Sequence, residues 1–349
     1  MFEAIRYWIG TIGHPDARAL GFAAGGLGIE RRYRKLAAHW EPHFAHCRAL
    51  NSWWMRAQSP RLGASPSLAI LGAGRLFDVD VALFANHFSQ IHLVDADPTA
   101  ASTWRQIKHR IGNQVSVTSH LCDLTGCLKL WTDYLLSVDL PGSGPAARDR
   151  LLSEVARLPE TVSTPRNDEL NPIFAADAIL STNLLSQLLV FLQHNVEAVL
   201  TKRLGRAAAA TQDDWVLSLR RPGKALIANH LARLTRLGAQ TVLLITDLEY
   251  CNYSGTLRFS PSQFQPPPAL WNAKQDEWVV TDKSVTTLER IDALYGFDLE
   301  GWFEREAPAW QRRLHPPWLW HIAPQGVESR DRGTIHRVAA WEFWRASTP

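Results

Sequence analysis

Two glycines and one aspartate form the part of this sequence that is best suited to chemistry. Gly72 and Gly74 follow an apolar run at residues 68–71, and Asp95 follows a second apolar run at residues 91–94. Because glycine has no Cβ, the backbone there can turn tightly and approach a ligand closely. A carboxylate at the end of the neighbouring strand can accept hydrogen bonds from both hydroxyls of a ribose. The spacing therefore predicts a binding site for a ligand that contains a nucleoside.

The elements that must position these residues alternate between strand and helix. Such alternation favours an α/β fold with a doubly wound, mostly parallel sheet of seven strands and helices on both faces. Two β-like segments at residues 318–322 and 335–343 predict a C-terminal antiparallel hairpin at one edge of that sheet. The other predicted strands are residues 68–71, 91–94, 115–120, 176–181 and 240–246, and the predicted helices are residues 78–87, 98–110, 183–199 and 222–237.

The chain is predicted to contain two regions. Residues 1–62 have helical periodicity and are expected to form an N-terminal extension or cap, and residues 63–349 a Rossmann-like domain. Within that domain we predict a helical insertion at residues 124–172 and a loop-rich insertion at residues 250–290, which holds three consecutive prolines. The cap and both insertions would surround the open edge of the sheet, which predicts an enclosed pocket.

Composition limits the kind of partner that the chain could have. A net charge of +3 over 349 residues is too small to indicate binding to nucleic acid. The four cysteines form no C-x-x-C pair, and no signal peptide is visible. The longest apolar tract, residues 178–192, is interrupted by polar side chains. We therefore expect a soluble, cytoplasmic protein with a small-molecule substrate and no membrane partner. Nucleic acid is disfavoured as a partner, and the sequence indicates no oligomeric state.

The glycines and Asp95 belong to a series of motifs, each at the end of a predicted strand, that resembles the class I S-adenosylmethionine-dependent methyltransferases. The resemblance implies a Rossmann-like fold, S-adenosylmethionine as the cofactor and methyl transfer as the activity. Ligands of open α/β sheets lie outside the carboxyl ends of the strands, where all of these motifs fall. In chain order the motifs are Gly72-Ala73-Gly74, Asp95, Cys122-Asp123-Leu124 and Ser181-Thr182-Asn183.

The same resemblance implies a role for individual residues. The two glycines would lie against the methionine and ribose portion of the cofactor, and Asp95 would bind the ribose hydroxyls. Asp123 would accept a hydrogen bond from the adenine amino group, while Ser181 and Asn183 would line the pocket beside the sulfonium. The residues expected to bind the cofactor are Gly72, Ala73, Gly74, Asp78, Asp95, Ala96, Asp123, Leu124, Ser181 and Asn183.

The glycine motif departs from the family pattern at two positions. Ile70 stands where the family usually has an acidic residue, and Leu76 stands where it often has a third glycine. The ammonium group of the methionine moiety would therefore be held differently, with Asp78 as the candidate.

Three other functions remain open. The two departures are compatible with a non-catalytic binding or regulatory protein that has kept the fold. Aminopropyl and aminocarboxypropyl transferases share the cofactor fold, and the sequence does not indicate which carbon of the sulfonium is attacked. A dinucleotide-dependent oxidoreductase is less favoured, because its G-x-G-x-x-G fingerprint needs a glycine where Phe77 stands.

Methyl transfer requires a nucleophile in line with the methyl carbon, and a base if the acceptor is a hydroxyl or a protonated amine. Asp247 and Tyr250 follow a predicted strand at the functional edge and are candidates for catalysis, together with Asn183, which could orient a substrate. For His194 and His230, which lie within predicted helices, a structural role is favoured. The sequence thus predicts S-adenosylmethionine-dependent methyl transfer to a small organic molecule.

Three histidines and a set of tryptophans are predicted to be structural. His39, His43 and His46 would share one helix face, but Pro42 is predicted to break the helix after the first of them. No metal site is therefore predicted. The basic run at residues 31–35 is expected to be a solvated helix face. Eight of the fifteen tryptophans follow residue 270 and are expected to be core residues.

Overall fold

The fold is built on one mixed sheet with helices on both faces. A computed structural model describes residues 7–8, 10–113, 115–142, 144–161, 170–206, 212–255, 271–272, 277–278 and 285–346. Its helices are α1 (Pro15–Ala19), α2 (Phe22–Gln58), α3 (Val81–Phe84), α4 (Ala101–Ile111), α5 (Leu128–Ser137), α6 (Pro145–Thr161), α7 (Asn171–Phe174), α8 (Leu185–Leu204), α9 (Gln212–Arg236) and α10 (Leu299–Glu306).

The strands confirm the predicted fold class. Strands β1 to β5 are parallel in the order β3-β2-β1-β4-β5, and β10 and β9 follow as an antiparallel pair beyond β5. An eighth strand, β8, pairs with the far end of β5, so the sheet has one strand more than the seven predicted. The strands are β1 (Ser67–Leu71), β2 (Gln90–Asp95), β3 (Ser116–Leu121), β4 (Ala178–Thr182), β5 (Thr241–Gly255), β6 (Trp271–Asn272), β7 (Glu277–Trp278), β8 (Val285–Asp292), β9 (Trp310–Ala323) and β10 (Gly333–Arg345).

The central strands of the sheet contribute to two cores, because successive side chains point to opposite faces. In β1, Leu68 and Ile70 pack on the face that α2 and α4 cover, where Trp54 is fully buried. Ala69 and Leu71 pack on the other face, against α8, α9 and α10. The second half of α2 is thus part of the main core and not only an extension in front of it.

The helix α2 corrects the prediction for Pro42. The helix runs without interruption through this proline, and its backbone departs from helical geometry at Leu36, where φ is −118° and ψ is 15°. A proline removes one helical hydrogen bond, but packing can compensate for that loss. Here Nε1 of Trp40 donates to the carbonyl oxygen of Ile322 at 2.7 Å, which anchors the helix to β9.

Other boundaries differ because of tertiary pairing. Strand β5 continues to Gly255 and does not end at residue 246, since β10 and β8 pair with its far half on both sides. Residues 250–255 are therefore part of a strand, whereas the sequence predicted a loop there. The rest of the predicted loop insertion falls at 256–270, 273–276 and 279–284, outside the described residues, apart from the short β6–β7 pair and β8. Helix α3 has four residues where ten were predicted.

Between β3 and β4 lie the three helices α5, α6 and α7, in the region where a helical insertion is predicted. Buried side chains of α5 and α6, among them Trp131 and Leu151, share a core with α8 and α9, whereas Ile173 and Phe174 of α7 pack in the core on one face of the sheet. None of the helices in the described part of the chain is long and apolar enough to cross a lipid bilayer.

Candidate functional site

A cavity of about 450 Å³ lies at the carboxyl ends of the parallel strands. Its walls are the segments that follow β1, β2, β3 and β4, and the first half of α2 lies across it. Open α/β sheets bind their ligands at this edge. The residues from the sequence analysis that line the cavity are Gly72, Ala73, Gly74, Asp78, Asp95, Ala96, Asp123, Leu124, Asn183 and Tyr250.

The turn after β1 has backbone angles that favour glycine. The φ angles of Gly72 and Gly74 are 73° and 40°, in the left-handed region. The backbone N–H of Gly72 donates to the carbonyl oxygen of Val94 at 3.0 Å, so the turn is bound to the neighbouring strand. A Cβ at Gly72 would lie 3.1 Å from the carbonyl oxygen of Thr182. The turn therefore lies close to β4 and presents its backbone to the cavity.

The Asp95 carboxylate is fixed by backbone donors. The N–H of Gly74 donates to Oδ2 and the N–H of Asp97 donates to Oδ1, both at 2.8 Å. Burial raises the pKa of Asp95, and these hydrogen bonds oppose that rise. A carboxylate has about four acceptor positions, so each oxygen retains a lone pair that can accept a hydroxyl group of a ligand.

A second carboxylate, Asp97, lies beside the first and was not singled out from the sequence. Its Oδ1 accepts from the backbone N–H of Thr99 at 2.8 Å. Burial raises the pKa of Asp97 to about 6. On its other side lies Gly26 of α2, where a Cβ would overlap Oδ2 of Asp97. The end of β2 and the helix across the cavity are thus in direct contact.

Asp123 acts as a helix cap as well as lining the cavity. Its Oδ1 accepts from the N–H of Thr125 at 2.9 Å, and its Oδ2 accepts from the N–H of Leu128 at 3.3 Å. The first contact closes the turn before α5, and the second satisfies the N–H of the first residue of α5. Burial raises the pKa of Asp123. A second cavity of about 360 Å³ borders the first at this residue and extends to α1.

The end of β4 joins the segment after β1 through Asp78. The hydroxyl of Thr182 donates to Oδ2 of Asp78 at 2.6 Å, and Nδ2 of Asn183 donates to the same oxygen at 2.8 Å. Asn183 has a φ of 49°, and its Oδ1 is buried without a hydrogen-bond partner among the described residues. An unpaired buried oxygen is costly, so it favours a ligand that donates to it.

Two residues predicted for the site do not reach the cavity. Ser181 is fully buried, and its Oγ lies 3.1 Å from Nε2 of His230 in α9, because alternate residues of β4 face opposite sides of the sheet. Asp247 is also fully buried, where its Oδ2 accepts from the hydroxyl of Ser186 at 2.9 Å. The structure therefore corrects the expectation that Ser181 lines the pocket, and it places Asp247 behind the cavity wall.

A row of three rings forms the wall in front of Asp247. His336 of β10 is paired with Tyr250 of β5 on one side and with Trp320 of β9 on the other, and all three line the cavity. The His336 ring lies 4.2 Å from the Tyr250 ring and 5.7 Å from the Trp320 ring, between centroids. Nδ1 of His336 lies 3.3 Å from Oδ1 of Asp247. The sequence analysis missed His336, because one sequence does not reveal which residue of β5 faces which residue of β10.

The three histidines of α2 do not converge on a common point. His43 stacks on Trp320 at 4.0 Å, and its Nδ1 accepts from Nε1 of Trp318 at 3.0 Å. Burial lowers the pKa of His43 to about 3, so this ring is neutral. His39 packs against a different ring, that of His321. Within the described ranges, no group of three or more His, Cys, Asp or Glu side chains could hold a metal ion.

Comparisons with known proteins give structural likenesses only. No protein-family model matches the sequence, and no curated protein matches it. The chain is similar to the structure of a SAM-dependent methyltransferase from Anabaena variabilis (10% identity, TM-score 0.34, covering 92% of this chain and 95% of that one). It is also similar to the YcgJ protein from Bacillus subtilis (10% identity, TM-score 0.35, covering 87% of this chain and 100% of that one). A third similar structure is that of CalS10, an amino pentose methyltransferase from Micromonospora echinaspora (10% identity, TM-score 0.29, covering 88% of this chain and 96% of that one). At these TM-scores, the fold assignment rests on the strand order of the chain itself.

Proposed function

We propose that this protein is an S-adenosylmethionine-dependent methyltransferase that acts on a small organic molecule. The observation that carries this proposal is the arrangement at the end of β2. There Asp95 is held by the N–H groups of Gly74 and Asp97, and it still has acceptor positions towards the cavity. Such a buried, pre-positioned carboxylate suits the paired hydroxyls of a ribose.

The residues around the cavity fit the whole cofactor. The glycine turn leaves room for close approach of a ligand, since Cβ atoms are absent at Gly72 and Gly74. Four carboxyl groups line the cavity, and they favour a ligand with cationic groups such as an ammonium and a sulfonium. Asn183 also lines the cavity, and its buried Oδ1 has no hydrogen-bond partner among the described residues, which suits a donor such as the ammonium group. The four carboxyl groups belong to Asp78, Asp95, Asp97 and Asp123.

When bound, S-adenosylmethionine supplies an electrophilic methyl group on a sulfonium. The chain itself would hold the cofactor through Asp95 and the glycine turn, and would hold the acceptor against the ring wall of Trp320, His336 and Tyr250. Positioning of this kind is the main source of catalysis when the electrophile is already reactive. Helix α2 lies across the cavity through Ile29, Trp40 and Phe44, among others, which favours an enclosed site and a small acceptor over a nucleic acid duplex.

Calorimetric titration tests the cofactor assignment directly. We expect S-adenosylmethionine and S-adenosylhomocysteine to bind with micromolar affinity, and nicotinamide dinucleotides to bind more weakly or not at all. A matched pair of variants, Asp95→Asn in the site and Asp139→Asn on the exposed surface, separates loss of the site from a general effect of the substitution. Binding of a dinucleotide without binding of either sulfur cofactor would overturn the proposal. Methylation of bulk RNA or DNA, but of no metabolite fraction, would overturn the small-molecule acceptor alone.

A further inference from the structure

We infer that His336, held by Asp247, is the general base of the reaction, and that the acceptor is a neutral planar aromatic molecule methylated on a hydroxyl group. This inference rests on the proposed methyltransferase function and deepens it.

The geometry gives His336 a buried nitrogen, Nδ1, on a ring that lines the cavity. Nδ1 of His336 is buried and lies 3.3 Å from Oδ1 of Asp247, while the ring lines the cavity. Asp247 is itself fixed, because its Oδ2 accepts from Ser186 at the start of α8. A carboxylate at Nδ1 assigns the proton of the neutral imidazole to that nitrogen. Nε2 is then the acceptor nitrogen, and we assign it to the ligand because the His336 ring lines the cavity.

The charge of Asp247 supports the same arrangement. Burial raises the pKa of Asp247, but the nearby His336 ring and the hydroxyl of Ser186 outweigh burial and hold the pKa below its ordinary value. Asp247 therefore remains a carboxylate at neutral pH. It can stabilise the imidazolium that forms when His336 takes a proton.

The other titratable groups that face His336 are poor bases. Burial raises the pKa of Tyr250 well above its ordinary value, so its hydroxyl remains protonated. His43 of α2 is 1% exposed, and its Nδ1 already accepts from Trp318. Asp247 is fully buried and does not line the cavity. Of the described residues in this wall, His336 is thus the one that can both touch a ligand and accept its proton.

The lining of the acceptor end indicates the class of molecule. Aromatic side chains from α2, from the glycine turn and from β9 meet here, and flat rings stack well on such surfaces. Both arginines in the described lining of the cavity are paired, Arg32 with Glu328 and Arg75 with Glu30 at 3.0 Å, so this lining offers no unpaired cation to an acidic substrate. The aromatic residues are Trp40, Phe44, Phe77, Tyr250 and Trp320.

A base of this kind suits a hydroxyl better than other acceptors. A neutral amine can attack before it loses its proton, whereas a phenolic hydroxyl is a strong nucleophile only after deprotonation. In the proposed step the O–H bond breaks and an N–H bond forms at Nε2 of His336. The electron pair of the O–H bond stays on oxygen and is then available to the electrophile. The positive charge on the imidazole is balanced by Asp247.

Absorbance of 4-nitrophenol tests the inference without turnover. The protein is first saturated with S-adenosylhomocysteine, and 4-nitrophenol is added at a mildly acidic pH, where the free compound is mostly protonated and colourless. We expect the yellow phenolate to appear on binding to the wild type and to the control variant His109→Gln, whose histidine is exposed. In His336→Gln the phenolate signal should fall about tenfold or more, while S-adenosylhomocysteine still binds.

The remaining outcomes each overturn a different statement. Binding of S-adenosylhomocysteine without binding of 4-nitrophenol would overturn the acceptor class and leave the methyltransferase proposal standing. Equal phenolate signals in the wild type and in His336→Gln would overturn the role of His336 as the base. Failure of the wild type to bind S-adenosylhomocysteine would remove the proposed function and this inference with it. If His336→Gln does not fold, Asp247→Asn replaces it, with a reduced phenolate signal expected.

Discussion

Nδ1 of His336 lies 3.3 Å from Oδ1 of Asp247, and a β-bulge in β5 brings the two side chains together. Arg337 pairs with Glu249 and Val338 pairs with Asp247, which leaves Leu248 as an extra residue between the pairs. In a regular strand, residues 247 and 250 would face opposite sides of the sheet, since their separation is odd. Because of the bulge, Asp247 and Tyr250 lie on the same side of the sheet, and both can contact His336.

We expect Asp247→Asn to change the tautomer of His336. In the wild type the carboxylate oxygen lies 3.3 Å from Nδ1, and its negative charge should hold the proton of the neutral imidazole on that nitrogen. An asparagine carries no charge and can present its NH₂ group instead, so the preference for the Nδ1 proton should weaken or reverse. Nitrogen NMR of histidine-labelled protein measures the tautomer directly, with Asp139→Asn as the control. Unchanged nitrogen shifts for His336 would contradict the assigned contact.

We expect Asp95→Ala to weaken cofactor binding by roughly 1–3 kcal/mol, because charge-assisted hydrogen bonds to the ribose would be lost. The backbone donors of Gly74 and Asp97 would also lose their acceptor, so their positions in the cavity wall should loosen. Titration calorimetry with S-adenosylhomocysteine measures the change, and circular dichroism verifies that the variant is folded. A folded Asp95→Ala protein with wild-type affinity would contradict the ribose assignment.

Local sequence patterns were sufficient to predict the sheet and to indicate residues that line one half of the cavity, the half that is the candidate site for the cofactor. The apolar runs before Gly72 and Asp95 became β1 and β2, and the residues after them line the cavity. This success has a simple cause, since a strand end at the carboxyl edge is defined by residues adjacent in the chain. The same reasoning failed for Ser181. Successive residues of β4 face opposite sides of the sheet, and Ser181 faces His230 and not the cavity.

The other half of the site depends on contacts distant in sequence. His336 reaches Asp247 only through the register of β10 on β5 and the bulge at Leu248, and neither has a local signature. Gly26 is important only because α2 crosses the end of β2 at that point. Pro42 predicted a break, but the helix continues through it, and Trp40 beside it is anchored to β9. In each case packing or strand pairing decided the outcome, and local propensity did not.

We expect the stability of the protein to fall in acid, in part through His230. Its side chain is 2% exposed, and burial lowers its pKa to about 3, below the unfolded value of 6.5. The folded state therefore binds fewer protons than the unfolded state between these values. The contribution to stability is complete above the unfolded pKa and is lost as the pH falls. For one such histidine the loss amounts to about 2 kcal/mol on going from neutral pH to about pH 5.

The variant His230→Gln isolates this contribution. Urea unfolding of both proteins at several pH values gives the difference in their free energies of unfolding. We expect that difference to shift in favour of the variant by about 2 kcal/mol at about pH 5 relative to neutral pH. Other buried groups, including the acids with raised pKa values, are common to both proteins and cancel in the comparison. A difference that is independent of pH would contradict the neutral state assigned to His230.

Two glycines of the same helix should respond to alanine in opposite ways. A Cβ at Gly28 meets no atom within 4 Å, so Gly28→Ala should stabilise the protein by about 0.5–1 kcal/mol through helix propensity. A Cβ at Gly26 would overlap Oδ2 of Asp97, a buried side chain bonded to Thr99. Gly26→Ala should therefore destabilise the protein or displace Asp97, and in either case weaken cofactor binding. Thermal unfolding and titration with S-adenosylhomocysteine measure both effects. Equal gains in stability at the two positions, with unchanged affinity, would show that α2 does not lie against the end of β2.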